Sequence, residues 1–467
     1  MCETDSSVTK PESSVLRGIF RMALPSMIGF GAANVYDVVD IFWLARLGVE
    51  PPAAVTFFFS FLWVLGSVNM IAGTGSVSVI SQNYGSRNYE ATATSIKETF
   101  LLKAMLALVM GAIGLLVAQP VLVLMGAEGE VLDMAMDYGT IQLCGLVFHF
   151  CAFTVYTALR GVDNPNWAMG LMLTSIAINM VLDPLLIFGW WIFPELGVKG
   201  AAWASIMGYA FSVFMGLALL YGGALNIRLH LRSRIHLAWK NMIRIIRIGL
   251  PSGISAISFS LSRSIVMGIV AVYGTEVVAA YGVGNRISAF GIMLIVGLGL
   301  GISALIGQQL GADDEERAYK TANQSILLSA AVMVGFGAAC FFGADFLMRL
   351  FFSETAGVET IKVHHAGVTL MKVLAFSFPA VGIFITVEQV FSGAGKNVPG
   401  MVLSVTMNWI LEIPLILALA MLAELSEVGI WLGITLASAM GTLVFLWYYS
   451  KRTWLGHRVK SIPDFPG

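Results

Sequence analysis

Long apolar runs dominate this chain and decide what it can fold into. About twelve of them reach the ~20 residues needed to cross a ~30 Å hydrocarbon core. They lie near 17–44, 53–80, 97–119, 138–160, 166–190, 198–222, 245–273, 277–307, 322–345, 366–391, 398–421 and 428–450. Hydrophobic residues make up 57% of the chain and charged residues only 12%, with a mean hydropathy of +0.82, against roughly 25% charged in ordinary soluble domains. Backbone polar groups in lipid must bond within the protein, which leaves helices or closed barrels. The runs lack the short in–out alternation of barrel strands. The expected fold is therefore an all-α integral membrane bundle of about twelve transmembrane helices.

The cations are spread unevenly along this pattern. Connections after odd-numbered runs hold few: Arg46, Lys199, Arg349 and Lys362. The tails and even-numbered connections hold most of the others, including Arg228, Arg232, Arg234, Lys240, Arg244 and Arg247 between the sixth and seventh runs. The positive-inside rule then puts both termini in the cytoplasm, and the expected location is a cell (inner) membrane, crossed many times. Net charge is −1, and no nucleic-acid partner is expected. Cys2, Cys144, Cys151 and Cys340 form no disulfide framework. The polar first residues lack the apolar core of a cleavable signal.

The chain repeats itself. Ala23-Leu24-Pro25-Ser26 returns as Gly249-Leu250-Pro251-Ser252, 226 residues later. At the same offset Ser81-Gln82-Asn83-Tyr84-Gly85 meets Gly307-Gln308-Gln309-Leu310-Gly311, and Arg46-Leu47-Gly48 meets Val272-Tyr273-Gly274. Asn179-Met180-Val181-Leu182-Asp183 answers Asn408-Trp409-Ile410-Leu411-Glu412 at an offset of 229. Each repeat carries six runs, so both enter from the same side as parallel repeats about an axis along the membrane normal. The expected organisation is an N-lobe at 1–222, a basic cytoplasmic linker at 223–243 and a C-lobe at 244–467, with the substrate site between lobes near mid-membrane.

Several stretches in this frame resemble the multidrug and toxic compound extrusion (MATE) transporters. They are Val39-Asp40-Ile41-Phe42-Trp43 through Gly48, Ala280-Tyr281-Gly282-Val283-Gly284-Asn285-Arg286-Ile287, Gly307-Gln308-Gln309-Leu310-Gly311-Ala312, and Leu159-Arg160-Gly161 leading into Asn179-Met180-Val181-Leu182-Asp183-Pro184. The chain is similar to the DinF-like branch, whose coupling acids sit in the N-terminal lobe. That resemblance implies that Asp40 and Asp183 are coupling residues, with Asn179 beside Asp183 and Tyr138 matching a tyrosine at the start of helix four. Another branch carries an acid on helix seven, where this chain reads Ile257-Ser258-Phe259. Its second acid would fall near Ile385, and the nearest acid here is Glu388. A sodium site of that kind in the C-lobe is therefore not expected.

The residues alone single out the same acids. A carboxylate inside a membrane helix is costly and should face a cavity or a partner. Tyr36 lies one turn before Asp40 on the same helix face, and Asn179 and Asp183 are spaced to share one face of helix five. Pro184 cannot donate to the carbonyl of Met180, which frees an acceptor there. Two nearby carboxylates cannot both ionise cheaply, so the pair is expected to exchange a proton. The alternative is that these acids only satisfy interhelical hydrogen bonds.

Other intramembrane charges are further candidates. Asp37 has Arg263 as its counterpart at the repeat offset, so the two either pair across the lobe interface or are each paired within their own lobe or sit in water. Glu388 and Glu412, the latter with Asn408 one turn before it, could attract cationic compounds. Lys372 either snorkels outward or meets an anionic group. Arg286 reads as structural. His364 and His365 are adjacent and point apart on a helix, which leaves no metal site. Glycines at Gly297, Gly299 and Gly301 read as close helix packing, not a phosphate loop.

These readings lead to an ion-coupled antiporter that exports cationic amphipathic drugs or toxic metabolites by alternating access. Asp40, Asp183 and Asn179 would form the coupling site, with Tyr36 and Tyr138 in support and Pro25 and Pro184 as hinges. The coupling ion is expected to be H+, with Na+ as the alternative. No cofactor and no enzyme activity are expected, and the protein should work as a monomer among membrane lipids. The runner-up is a lipid-linked saccharide flippase of the same superfamily. It would need several deep cations, and only Arg263 and Lys372 read as deep. Intramembrane protease motifs and channel filter signatures are absent from the sequence.

Overall fold

The computed structural model describes residues 12–223, 225, 227–229, 239–351, 358–422 and 425–459. These residues form helices and turns, with no strand among them. In chain order the helices are α1 (Glu12–Leu44), α2 (Glu50–Gly85), α3 (Tyr89–Leu124), α4 (Gly129–Cys144), α5 (Leu146–Gly161), α6 (Pro165–Ile187), α7 (Val198–Gly222) and α8 (Trp239–Ala271). They continue as α9 (Thr275–Gly311), α10 (Glu315–Phe342), α11 (Ala344–Arg349), α12 (Val358–Leu374), α13 (Phe378–Gly393), α14 (Val398–Val405), α15 (Ile413–Leu417) and α16 (Ser426–Ser450). Among the described residues, ten helical spans are long and apolar enough to cross a membrane, and two bent pairs raise the total to twelve when each pair is one span. Much of the basic connection between the halves, including Arg232 and Arg234, lies outside the described residues, as does Cys2.

The two bends have local causes. The α4–α5 pair turns by 52° at Gly145, where a Cβ would come within 2.2 Å of the Ile206 side chain on α7. The α12–α13 pair turns by the same 52° just before α13, which has a proline in its first turn; proline fits there because its missing N–H would be unpaired anyway. The eleventh span is interrupted differently. Residues Thr406–Glu412 wind as a π-helix between α14 and α15, and Pro414 withdraws a donor from the ladder beside it.

Each half of the chain builds its own apolar core. Leu44, Phe58, Leu122, Phe150 and Ile187 are buried together in the N-terminal half. Val266, Ile295, Leu370 and Trp431 form the equivalent centre in the C-terminal half. The start of α1 crosses over, burying Val15, Ile19 and Ala23 against Leu298, Ile302, Val390 and Phe445.

The halves touch backbone to backbone at glycines. A Cβ on Gly75 of α2 would fall 2.0 Å from the carbonyl oxygen of Ile245 on α8, and one on Gly249 would fall 1.7 Å from that of Ile71. Gly301 and Gly297 of α9 meet the backbone of α1 at Met22 and Ser26 in the same way, so these glycines serve close packing. All these contacts lie toward the end of the bundle that carries the α2–α3 and α9–α10 turns. The halves are therefore closed against each other at that end of the bundle. Gly66 in the middle of α2, and Gly268 of α8 and Gly282 of α9 toward the other end, meet no atom within 4 Å of a Cβ position.

Candidate functional site

Inside the N-terminal half, α1 and α6 bring Asp40 and Asp183 into one buried group. Asp40 is 7% exposed, Asp183 is 0% and Asn179 is 4%. Asn179 bridges them to their surroundings. In the amide orientation that satisfies both ends, its oxygen accepts from the Ser205 backbone N–H at 2.9 Å and from the Ser205 hydroxyl at 3.2 Å. Its nitrogen then donates to Asp183 Oδ2 at 2.9 Å and to the Tyr36 hydroxyl at 3.0 Å. The Tyr36 hydroxyl also lies 3.1 Å from Ser205 Oγ. The helical spacing of Asn179 and Asp183 sets this geometry, because both side chains leave the same face of α6.

Two carboxyl oxygens in the group, Asp40 Oδ1 and Asp183 Oδ1, are buried without a hydrogen-bond partner. Neither acid takes part in an ion pair among the described residues. Asp40 lies within electrostatic range of Asp183 and of Asp37. Tyr138 of α4, 4% exposed, closes the other side. Its hydroxyl accepts from Gln142 Nε2 at 3.0 Å, and its ring meets Phe58 edge-on with centroids 5.7 Å apart. Asp37 is exposed, one turn along α1. Chemically this is a compact set of acceptors and hydroxyls with room on two carboxyl oxygens for a proton or a hard cation.

The equivalent place in the C-terminal half is built with opposite charges. Arg263 of α8 pairs with Glu412, which is 2% exposed at the end of the π-helical turn. The Arg263 guanidinium also stacks 5.0 Å over the Phe259 ring. This decides between the two placements open to Arg263: it is held inside its own half and not by Asp37. Trp409 in the same turn donates to Ser258 Oγ at 2.8 Å. Asn408, 0% exposed, has neither amide atom bonded, and Glu412 Oε2 is also without a partner. Glu388 on α13 stands apart, half-buried beside Gly400 and in no ion pair among the described residues. Pro25 and Pro184 are buried inside α1 and α6.

Comparison with known proteins places this arrangement. The MatE family model matches residues 25–185 and 251–417, once in each half. The chain belongs to the MatE family. MatE proteins are transporters and not enzymes, and this chain is a multi-pass membrane transporter of that family. It is 27% identical to a probable multidrug resistance protein, YoeA of Bacillus subtilis, with 94% of both chains covered. It is 25% identical to a FAD transporter of Shewanella oneidensis, over 85% of this chain and 87% of that one. Among solved structures, a MATE protein in a bent conformation superposes with a TM-score of 0.86 at 22% identity, covering 97% of this chain and 99% of that one. An outward-facing multidrug resistance MATE transporter superposes equally well, at a TM-score of 0.86 and 23% identity over 97% and 99%. These two likenesses establish the fold.

Two buried cations in this MatE chain overturn one sequence reading. Lys372 is exposed and Arg263 is tied to Glu412, so neither is the free deep cation that their positions suggest. The deep basic residues are instead Lys103 of α3, 1% exposed, and Arg160 at the end of α5, 2% exposed. Lys103 was readable as the single lysine deep within the third apolar run. The partnership of Ser205 and of Gln308 was not readable, because a lone polar residue in a membrane helix does not reveal its rotation. His364 Nε2 lies 3.3 Å from Asp345 Oδ1, and the His364 and His365 rings stand at 82°. No group of three or more metal-ligating side chains occurs among the described residues.

Proposed function

We propose that this MatE protein is a proton-coupled antiporter that expels cationic amphipathic compounds across the cell (inner) membrane. The observation that carries this reading is the pair Asp40 and Asp183, buried in one half, linked through Asn179 and Tyr36, and lacking any cationic partner among the described residues. Two such carboxyls at short range cannot both stay charged at low cost, and in a membrane helix an unpaired charge marks an ion pathway. A proton entering from outside would be taken up by Asp40 Oδ1 or Asp183 Oδ1, the oxygens that have no donor among the described residues. Loss of that negative charge would weaken the hold on a cationic substrate, helped by the exposed Asp37. The names of the multidrug relatives support a drug-like cargo.

In this reading 1–222 and 244–467 rock as two lobes joined by the 223–243 linker, with both termini on the cytoplasmic side. Pro25 and Pro184 are the hinge points, since each leaves a gap in its helix ladder. Asn408, Glu412, Arg263 and Glu388 line the substrate path from the second lobe, and Tyr138 supports the coupling site from the first. The test is dye efflux from proteoliposomes driven by a pH gradient. Asp40→Asn and Asp183→Asn should each abolish it, and full transport by both variants would sink the assignment. Sodium is the other candidate: efflux that follows a sodium gradient with pH clamped on both faces would replace the proton in the same site.

A further inference from the structure

We propose that residues 451–459, the segment after α16, are an autoinhibitory strap. They are rooted on the C-terminal half, grip α2 of the N-terminal half, and hold the glycine-packed end shut until their tip lets go. The proposal rests on the rocking motion of the proposed function and adds a restraint to it, whichever ion is coupled.

The root is fastened at several points. Trp454 is 0% exposed and stacks on Tyr449 of α16, with ring centroids 5.9 Å apart and planes at 17°. The Arg452 guanidinium lies 4.1 Å over the Tyr319 ring of α10. Lys396, in the turn between α13 and α14, donates to the Thr453 carbonyl at 2.8 Å. Arg458 pairs with Asp313 in the α9–α10 turn. Gly456, at φ +73°, supplies the left-handed backbone that lets the segment turn.

The tip reaches the other half. The Val459 N–H donates to Gln82 Oε1 at 2.8 Å, and Nε2 of the same Gln82 amide donates to the Gly393 carbonyl at 3.1 Å. One α2 side chain is therefore held at both of its polar atoms by the C-terminal half. The Val459 side chain packs against a buried cluster made of Ala72 and Val79 of α2, Leu102 of α3, and Met242 and Ile245 of α8. It is wedged there: a Cβ on Gly395 would fall 2.8 Å from Val459 and 3.3 Å from Ser78 of α2.

Parting the halves at this end pulls root and tip in opposite directions. A few residues of chain have a fixed reach, so one attachment has to break. The root has a buried tryptophan, a cation–π contact, an ion pair and a hydrogen bond. The tip has one hydrogen bond and one valine, so the tip gives first. Its contacts exist only while the halves are closed. A contact made in one conformer alone shifts the equilibrium toward that conformer, here against opening.

The test is pulsed spin-label distance measurement on the full chain, with labels on the α2–α3 and α9–α10 turns and no substrate or ion gradient. Val459→Pro deletes the N–H and leaves the root in place. Its long-distance population should grow about fivefold, the worth of one hydrogen bond. Arg458→Asp, which faces Asp313 with a like charge, should act in the same direction, and adding Asp313→Arg should restore the wild-type distribution. Gly85→Ala is the control, because its Cβ would lie 2.0 Å from the Gln308 carbonyl oxygen and parts the halves with or without a strap. Growth in Gly85→Ala beside a wild-type distribution in Val459→Pro overturns the strap and leaves the rocking reading standing. One short distance in every variant, the control included, sinks the rocking reading and the strap together.

Discussion

Gln82 and Gln308 stand 226 residues apart at the same place in the two repeats, and each donates its side-chain amide to a glycine carbonyl of the opposite half. Gln82 Nε2 reaches the oxygen of Gly393 at 3.1 Å, and Gln308 Nε2 reaches that of Gly161 at 2.9 Å. Those glycines close α13 and α5, the second arms of the two bent spans. One turn on, a Cβ at Gly85 would lie 2.0 Å from the Gln308 carbonyl oxygen, and one at Gly311 would lie 2.1 Å from that of Gln82. The arrangement is a two-fold latch across the closed end of the bundle.

A latch of two hydrogen bonds should bias the rocking equilibrium measurably. Each bond is worth about 1 kcal/mol net, so losing both in Gln82→Ala/Gln308→Ala should shift the balance of conformers by roughly thirtyfold toward opening at this end. Spin-label distances between the α2–α3 and α9–α10 turns would show a growing long-distance population. An unchanged distribution would mean that glycine packing alone keeps this end closed. Gly85→Ala should part the same contact more severely, because the carbonyl in its way is backbone and has nowhere to turn.

Pseudosymmetry also frames what differs between the halves. Asp37 and Asp183 in the first repeat correspond to Arg263 and Glu412 in the second. Two acids in the first half become a charge-neutral pair in the second, and Asp40 has only Val266 as its counterpart. Breaking the pair by Arg263→Met would strand Glu412 at 3% side-chain exposure. That should cost about 3 kcal/mol, the low end for buried pairs because Arg263 itself keeps partial contact with solvent. Adding Glu412→Leu should restore most of the loss. Thermal melts of the single and double variants in detergent measure it, and a double variant no better than the single would show that Glu412 is not paying for the lost cation.

The segment after α16 crosses the same closed end and carries a pH-sensitive group. Its Val459 backbone N–H donates to Gln82 Oε1 at 2.8 Å, and Arg458 pairs with Asp313. Burial, and then the nearby Lys396, hold the His457 imidazole below its ordinary protonation range. A depressed imidazole means that the unfolded segment binds the proton first. Docking of this segment is therefore fully favourable above the ordinary histidine range near pH ~6.5 and is lost as pH falls through it. Hydrogen exchange at Val459 should speed up on acidification, and His457→Gln should flatten that response. Exchange at Val459 that ignores pH in the wild type would remove His457 from the docking of this segment.

Much of this architecture is legible in the sequence for one physical reason: lipid demands long apolar runs, so the runs announce the spans. The repeat landmarks likewise announce which residues correspond, including Gln82 with Gln308 and Asp183 with Glu412. Correspondence is not contact, however. Whether Arg263 meets Asp37 or Glu412 depends on the rotation of α8 and on the π turn at Thr406–Glu412, and Pro414 hints at the irregularity without giving its register. Lys103 was visible as the one charge deep inside the third apolar run, past Lys97 and Glu98 at its start, yet what surrounds it is a property of three helices packed together. The Asp183–Asn179 spacing was fully legible, because one helix face carries both, whereas Ser205 reaches them from α7 with no pattern to mark it.

Asn179 gives the sharpest test of how the coupling group works. Its amide is the direct donor to Asp183, at 2.9 Å, and also the link to Tyr36. Asn179→Ala removes both contacts but leaves both acids in place. If the amide positions the carboxyl for ion exchange, losing one charge-assisted hydrogen bond of about 1.5–3 kcal/mol should slow gradient-driven efflux by roughly ten- to a hundredfold. Asn179→Ser keeps a smaller donor and should recover part of the rate. Substrate binding measured without any gradient separates the two possible roles: it should stay near the wild-type value in Asn179→Ala if the residue serves coupling. Equal losses in binding and in efflux would instead make Asn179 part of the substrate site, and the proton pair would have to act without it.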